Sequence, residues 1–206
     1  MIAVVDYGMG NLRSVAKALE RVGAEVEVTS DADTVASADG VVLPGVGAFG
    51  RCMQNLRAAG LEQPVRDAAD SGKPFLGICV GMQILFETSD EFGATAGLGI
   101  LPGRVRRFEA SGPGMKIPHM GWNTLDVRLR SPMLRGLVDG AFVYFVHSYY
   151  VETSDQSIVA TTTPYGVDFV SSVSRDGLFA TQFHPEKSQA VGCTLLENFA
   201  RLTGPS

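Results

Sequence analysis

The sequence is poor in cysteine, and its cysteines form no recognisable pair. Cys52, Cys79 and Cys193 are the only three in 206 residues, and no C-x-x-C spacing occurs. An odd, widely spaced set argues against both a disulfide framework and a cysteine-rich zinc site. Reduced thiols are typical of the cytosol, so we expect a cytoplasmic protein. We also expect that it needs neither a metal nor another cofactor.

The sequence also contains no basic cluster and no long apolar run, and we expect no leader sequence. Its 17 basic and 22 acidic residues give a net charge of -5, and the densest basic group is only Arg104, Arg106 and Arg107. Scattered positive charge does not indicate a basic surface that could bind nucleic acid. The first residues, 1–8, have no basic n-region, and no stretch approaches the ~18 apolar residues that span a bilayer. We therefore expect no binding to nucleic acid or membranes.

Length and composition indicate a globular protein. The chain is 45% hydrophobic and 19% charged, which is too apolar for a disordered protein. A chain of this length buries roughly 70% of the surface that its unfolded form exposes, so it can form a core without disulfides. We predict that residues 1–206 form a single domain.

The first half of the chain alternates strand and helix patterns. Continuous apolar runs at 2–5, 41–43 and 75–78 predict buried strands, and residues 26–29 predict a further short strand,. Residues 12–22 repeat apolar side chains at helical spacing, with Asn11 as a candidate cap and Gly23 as a stop. Residues 49–69 predict a helix interrupted at Gly60 and Pro64. Buried strands separated by helices indicate a parallel sheet that is covered on both faces.

After about residue 89 the sequence becomes rich in short strand patterns. Runs at 105–108, 124–127, 142–151, 158–162, 169–174 and 178–183 are separated by turns and predict some antiparallel strands,. An amphipathic helix is expected near the end of the chain, at 191–202. The predicted fold class is α/β with three layers: a mostly parallel central sheet, flanking helices, and additional antiparallel strands in the C-terminal half.

One cysteine lies in a sequence context that is typical of a nucleophile. Residues 77–81 read G-x-C-x-G between the strand at 75–78 and a predicted helix at 80–88, the layout of a nucleophile elbow with cysteine in place of serine. Glycines are needed where strand and helix pack closely, and a helix N-terminus favours a thiolate. By residue type alone Cys79 would be a buried structural cysteine, as we expect for Cys52 and Cys193. The elbow spacing favours the catalytic interpretation.

A thiolate nucleophile needs a base, and the base needs a group that orients it. His184 follows the predicted strand 178–183, and Glu186 lies two residues on, where an extended backbone places it on the same side. Glu186 could fix the tautomer of His184, as the carboxylate does in hydrolase triads. We interpret His147 as a strand histidine near the pocket, and His119 as a loop residue after Pro118.

A glycine-rich turn follows the third predicted strand at 44–47. Its backbone N–H groups could face a developing oxyanion. With Gly50 the same stretch also matches G-x-G-x-x-G, which keeps a dinucleotide-binding enzyme open as an alternative. The acidic residue that such a site requires would be Asp67 or Asp70, and both lie in helical sequence rather than after a strand,.

Two motifs together resemble a known family. The stretches GICVGMQ at 77–83 and HPE at 184–186 resemble the class I, or triad, glutamine amidotransferases. Several more stretches resemble one branch of that family, which acts in histidine biosynthesis: DYGMGNLRSV at 6–15, LPGVGAF at 43–49, KIPHMGWN at 116–123, FVHSYY at 145–150 and QFHPEKS at 182–188.

The resemblance implies a glutaminase with a triad of Cys79, His184 and Glu186. It implies that L-glutamine is hydrolysed to glutamate and ammonia by attack of Cys79 on the side-chain amide. The backbone N–H groups of Val46 and Val80 would form the oxyanion hole, Val46 only after its turn rearranges. The residues implied to hold the substrate are Gly47, Gln83, Ser148 and Tyr149.

The resemblance also implies a protein partner. In this branch the ammonia passes to a (βα)8-barrel cyclase subunit, with which the glutaminase forms a heterodimer. A sealed route is needed because ammonia released into water is protonated and lost. The positions implied to contact the partner are Asn11, Lys116, Pro118, His119, Met120, Trp122 and Lys187.

Three further alternatives remain open from the residues. Another ammonia-channelling synthase, such as pyridoxal phosphate synthase, would use the same triad. A cysteine-based redox sensor or chaperone could also use an elbow fold without any need for glutamine. A zinc hydrolase could use His147, His184 and Glu186, although no zinc motif supports it.

Overall fold

The computed structural model describes residues 1–109 and 115–204, and its centre is a large mixed sheet. The strands are β1 Ile2–Val5, β2 Val26–Thr29, β3 Gly40–Gly45, β4 Phe75–Cys79, β5 Phe86–Ser89, β6 Thr95–Ala96, β7 Leu101–Arg107, β8 His119–Thr124, β9 Asp126–Val127, β10 Phe142–His147, β11 Tyr149–Glu152, β12 Val159–Tyr165, β13 Val167–Arg175 and β14 Leu178–Thr181. The α-helices are α1 Leu12–Arg21, α2 Ala32–Ser37, α3 Phe49–Ala58, α4 Glu62–Asp70, α5 Val80–Gln83 and α6 Gln189–Thr203.

The parallel part of the sheet has the order β2, β1, β3, β4, β14. Every residue of β1, β3, β4 and β14 is buried. Strands buried on both faces read as continuous apolar runs, which is the pattern that predicted them. The predicted α/β class with a mostly parallel central sheet is confirmed.

One pairing joins strands that are far apart in the sequence. The late strand β14 lies parallel to β4, with Ala180 opposite Gly77 and Thr181 opposite Ile78. Parallel strands end at the same edge of a sheet, and ligands of open α/β sheets bind at that edge. The residues that follow β4 and β14 are therefore neighbours in space.

The antiparallel part continues the large sheet beyond β14. Its order is β13, β11, β7, β5 and β6, with β12 paired to β13 and β9 paired to β12, and only β5 with β7 is a parallel pair. Strands β8 and β10 form a separate antiparallel pair. The predicted single run at 142–151 is therefore two strands in two sheets, because the chain leaves β10 at Ser148.

The helix boundaries confirm some sequence signals and correct others. Gly23 follows α1 with a φ of 87°, and Gly60 separates α3 from α4 with a φ of 71°. Such left-handed positions favour glycine. Asn11 precedes α1, but its side chain makes no capping hydrogen bond. Pro64 does not interrupt a helix, because it lies in the first turn of α4, where the missing N–H has no helical partner anyway,.

The prediction of a helix at 80–88 is wrong. Helix α5 has only four residues, and Phe86 already belongs to β5. The carbonyl of Ile84 accepts from the backbone N–H of Leu98, and that of Leu85 from the N–H groups of Ile100 and Leu101. These long-range partners replace the hydrogen bonds of a longer helix, so a strand beside β7 forms instead.

The short helix α5 packs directly against the end of β3. A Cβ on Gly81 would overlap the carbonyl oxygen of Leu43, and a Cβ on Gly45 would overlap the backbone N of Gly81. A Cβ on Gly77 would lie only 3.0 Å from the Cβ of Ala180. Close backbone packing thus requires a glycine at position 81, and a side chain at position 77 would be tightly confined.

Replacing Gly81 with alanine should destabilise the fold. We expect Gly81→Ala to lower the free energy of unfolding by about 2 kcal/mol or more, since backbone atoms must shift. Gly50→Ala is a matched control, because Gly50 also lies in a helix and its Cβ would meet nothing closer than 3.7 Å. That variant should be neutral or more stable by about 0.5 kcal/mol. Urea unfolding of both measures the difference, and equal stabilities would contradict this packing argument.

Candidate active site

Cys79 occupies a strained turn between β4 and α5. Its φ of 57° and ψ of -113° are unusual for a residue with a side chain. Such strain persists only where the surrounding structure enforces it, and it is concentrated at functional sites. The predicted elbow geometry is present. The dipole of a single helical turn is weak, however, so the groups around the sulfur should stabilise a thiolate more than α5 does.

The other two cysteines lie in helices. Cys52 is fully buried in α3, and burial raises the pKa of its thiol to about 11. Cys193 is half-buried in α6. A protonated, inaccessible thiol does not act as a nucleophile, which supports the structural interpretation of Cys52.

His184 follows β14, and hydrogen bonds to its backbone groups fix its position. Its N–H donates to the carbonyl of Tyr144 at 3.0 Å, and its carbonyl accepts from the hydroxyl of Ser188 at 2.7 Å. The ring atom Nδ1 lies 2.9 Å from Oε1 of Glu186. The side chains of His184 and Glu186 are 3% and 1% exposed. The carboxylate therefore orients the ring, as the spacing of the two residues predicts.

The electrostatics of His184 favour its charged form. Burial alone would lower the pKa of the imidazole, but the nearby sulfur of Cys79 and the carboxylate of Glu186 outweigh it and raise the pKa to about 10. Among the described residues, the only buried side-chain atoms that lack a hydrogen-bond partner are His184 Nε2 and Glu186 Oε2. A ring nitrogen beside the sulfur is thus left free to exchange a proton with a ligand.

Two buried glutamine side chains complete the surroundings of the sulfur. Gln83 Nε2 donates to the carbonyl of Tyr149 at 3.1 Å and to Gln182 Oε1 at 2.9 Å. Gln182 Nε2 in turn lies 3.7 Å from Cys79 Sγ. The sequence reasoning predicted Gln83 and missed Gln182. The available signal was its position two residues before His184, on the same side of an extended chain.

Cys79 and His184 face a common cavity of about 380 Å³, which lies in the range of small-molecule sites. The predicted residues that line it are Val46, Gly47, Val80, Gln83, Pro118, Ser148, Tyr149 and Lys187. The cavity also contains Glu91, which the sequence reasoning missed. Its Oε2 accepts from the backbone N–H of Phe49 at 2.6 Å, at the start of α3. Glu91 is the one acidic side chain among the described residues that line the cavity.

The remaining two histidines form a buried neutral pair. His119 Nδ1 lies 3.0 Å from His147 Nε2, and His147 Nδ1 lies 2.8 Å from the carbonyl of Tyr149. Burial lowers the pKa of His119 to about 4 and that of His147 to about 3. The expected loop position of His119 is wrong, since it begins β8. Its burial follows from ring stacking against Phe145 and Tyr165.

These contacts also bear on the zinc alternative. Both ring nitrogens of His147 are engaged by neighbours, and Nδ1 of His184 is engaged by Glu186. In the described part of the chain, no three His, Cys, Asp or Glu side chains are grouped so that they could hold a metal ion. The proposed zinc ligands His147, His184 and Glu186 are therefore not arranged as a metal site.

Two of the residues expected to contact a partner, Pro118 and Lys187, also line the cavity. Of the whole expected set, the exposed members are Lys116, Pro118, Met120, Trp122 and Lys187. Asn11 is half-buried, and the buried side chain of His119 cannot contribute to a surface. Strand β10 adds Phe142, Tyr144 and Val146 to the same face, because they alternate with buried residues and pair with β8. The ring of Tyr144 packs edge-on against Trp122, with centroids 6.0 Å apart.

No helix in residues 1–109 or 115–204 is long and apolar enough to cross a membrane.

The chain belongs to the family of class-I glutamine amidotransferases. The model of that family, glutamine amidotransferase class-I, matches residues 3–202. A solved structure described as glutamine amidotransferase has the same fold, with a TM-score of 0.75 over the full length of both chains at 22% identity. This assignment favours glutamine chemistry over the redox-sensor and dinucleotide alternatives.

Curated relatives indicate which members of this family the chain is similar to. The chain is 54% identical to the imidazole glycerol phosphate synthase subunit HisH of Syntrophotalea carbinolica, over 97% of this chain and 98% of the relative. It is 56% identical to the HisH subunit of Aquifex aeolicus, over 96% and 95% of the two chains.

Removing the charge of Glu186 should change the titration of His184. We expect Glu186→Gln to lower the pKa of His184 from about 10 by about one pH unit or more, because an adjacent negative charge is lost. NMR titration of ¹⁵N-histidine-labelled protein measures it. Glu197 on α6, a half-buried residue that pairs with Arg201, supplies the control Glu197→Gln, which should leave the titration unchanged. An unaltered titration in Glu186→Gln would contradict the orienting role.

The same shift has a consequence for stability. The folded protein binds the His184 proton more tightly than the unfolded chain does. The contribution of this proton to stability is therefore fully present below a pH of about 6.5, the pKa of histidine in the unfolded chain,. It is lost as the pH rises towards about 10, the pKa of His184 in the folded protein,.

Proposed function

We propose that this chain is the glutaminase subunit of an imidazole glycerol phosphate synthase, an enzyme of histidine biosynthesis. The observation that carries the proposal is the site itself: a strained elbow cysteine beside a histidine that a buried carboxylate orients, in a cavity of amino-acid size. Relatives more than half identical over nearly the whole chain support the choice of this synthase over another ammonia-channelling one.

The reaction begins with attack by the sulfur of Cys79. The thiolate forms a bond to the side-chain amide carbon of L-glutamine, and the charge moves to the carbonyl oxygen. The C–N bond then breaks as His184 Nε2 gives its proton to the leaving nitrogen, which departs as ammonia. A raised imidazole pKa suits this step, because His184 carries the proton at neutral pH.

The second half of the reaction releases glutamate. Neutral His184 accepts a proton from water at Nε2, and the resulting nucleophile attacks the glutamyl thioester. The C–S bond breaks, and the sulfur and the imidazole return to their starting states. Glu186 holds the ring in one tautomer throughout.

Two backbone N–H groups are proposed to stabilise the oxyanion. That of Val80 is at the start of α5, directly after the nucleophile, where a helix leaves its first N–H groups without helical partners. That of Val46 belongs to the turn after β3, which lines the same cavity. Gly47 has a φ of 84°, so the turn depends on a glycine there. Rearrangement of this turn remains a prediction.

The other end of glutamine is proposed to bind Gln83 and Glu91. Because Gln83 uses its nitrogen for two protein acceptors, its oxygen is the atom available to the cavity. An acceptor oxygen and a carboxylate suit the α-ammonium group of the substrate. Gly47, Ser148 and Tyr149 line the same cavity and are proposed to contact the remainder of the substrate.

Ammonia is proposed to pass to a (βα)8-barrel cyclase subunit in a heterodimer. There it would join a phosphoribulosyl-formimino intermediate to give imidazole glycerol phosphate and an aminoimidazole carboxamide ribonucleotide. The proposed contact face comprises Asn11, Lys116, Pro118, Met120, Trp122 and Lys187, extended by Phe142, Tyr144 and Val146. An exposed tryptophan within an apolar face is a common anchor of interfaces.

We further propose that residues 1–206 form one domain, because strands from both halves of the chain pair in one sheet. The three unpaired cysteines support a cytoplasmic location,.

Loss of the nucleophile should separate the two activities of the complex. With Cys79→Ala co-purified with the cyclase subunit, glutamine-driven synthesis should fall by more than about a thousandfold. Synthesis from added ammonium salt should persist, because the cyclase is intact. Cys193→Ala is the matched control and should retain both activities. Glutamine-driven synthesis at the wild-type rate in Cys79→Ala would contradict the proposal.

Glu91 should affect substrate binding more than the chemical steps. We expect Glu91→Gln to raise the KM for glutamine by about tenfold or more with a smaller change in kcat, because the charge that attracts the α-ammonium group is lost. The exposed Glu20 on α1 provides the control Glu20→Gln. Steady-state glutaminase kinetics of the complex measure both, and an unchanged KM in Glu91→Gln would contradict the assignment.

A further inference from the structure

A buried amide side chain faces the reactive sulfur and has no role in the mechanism above. Gln182 follows β14 and has no exposed surface. Its Nε2 lies 3.7 Å from Cys79 Sγ, and its Oε1 accepts from Gln83 Nε2 at 2.9 Å. One side chain therefore connects the nucleophile to a residue proposed to bind substrate.

The direction of the Gln182 amide is fixed by its neighbours. The nitrogen of a glutamine side chain only donates, and its oxygen only accepts. Gln83 must direct its nitrogen towards the carbonyl of Tyr149, because that carbonyl can only accept. The same nitrogen donates to Gln182, so the oxygen of Gln182 points towards Gln83 and its nitrogen towards the sulfur. The hydrogen-bond network thus resolves the ambiguity that amide groups usually carry.

We propose that Gln182 stabilises the thiolate of Cys79 by donating this N–H to the sulfur. An anionic sulfur accepts a hydrogen bond more strongly than a neutral thiol does, so the contact favours the nucleophilic form. The site is buried, and interactions with a charge are strongest where water is excluded. Because α5 is only one turn long, this donor supplies part of what a longer helix would have supplied.

The kinetic consequence of this contact rests on the proposed glutaminase function, but the contact itself can be tested without glutamine. The test uses the full-length chain and iodoacetamide, with mass spectrometry of the peptide that contains Cys79. Thiolates are alkylated and thiols are not, so the rate between about pH 5 and about pH 10 reports the ionisation of the sulfur. Peptides containing Cys52 and Cys193 are resolved separately.

Two variants remove the donor in different ways. Gln182→Met keeps the length of the side chain without an N–H group, and Gln182→Asn keeps the amide but withdraws it by one carbon. In both, we expect alkylation of Cys79 at neutral pH to slow by about tenfold, and the pH profile to move to higher pH. Gln182→Asn carries the test if Gln182→Met does not fold.

A control separates this effect from a loss of packing. Ser171 accepts from the backbone N–H of Gln182 through its carbonyl, and its hydroxyl lies 2.8 Å from Thr161 Oγ1, away from the sulfur. Ser171→Ala should lower thermal stability and leave the alkylation profile unchanged. Wild-type alkylation rates in a folded Gln182 variant overturn the proposal. An absence of glutaminase activity in the wild-type complex would instead overturn the proposed function.

Discussion

The site depends on one pairing, the parallel alignment of β14 with β4. The elbow at Cys79 is built locally, by close approach of α5 to the end of β3. The base is not local, since His184 reaches the sulfur only because Thr181 lies opposite Ile78 in neighbouring strands. Both strands are buried at every position, so displacing either exposes apolar surface. The hydrophobic effect therefore holds the two strands in the core, and their register brings the residues that follow them to the same edge of the sheet.

The two-stranded unit of β8 and β10 connects the cavity with the proposed partner face. Its outward side chains include Met120 and Trp122, and its inward side chains include the buried His119 and His147. His147 donates through Nδ1 to the carbonyl of Tyr149, a residue of the cavity lining. Val146 and His147 of β10 also line the cavity themselves, so a partner that presses on the outer face would act on an element that borders the substrate site.

Local sequence patterns correctly predict the elements whose structure depends on local packing. Continuous apolar runs predict the buried parallel strands, and the glycines around Cys79 predict the elbow. The failures occur where long-range partners compete with local preference. Helix α5 stops early because residues 98–101 take its hydrogen bonds, and the run through β10 and β11 divides at Ser148 between two sheets. Glu91 belongs to no recognised motif, and Gln182 begins the stretch QFHPEKS without a role that its residue type reveals, so only the folded sheet shows that both lie in the site.

The most direct test of this account is the structure of the protein after reaction with a diazoketone analogue of L-glutamine. The account predicts a covalent bond to the sulfur of Cys79, with His184 Nε2 beside the new bond and the amino end of the label against Gln83 and Glu91. A label attached to Cys52 or Cys193, or one on Cys79 that points away from His184, would contradict it.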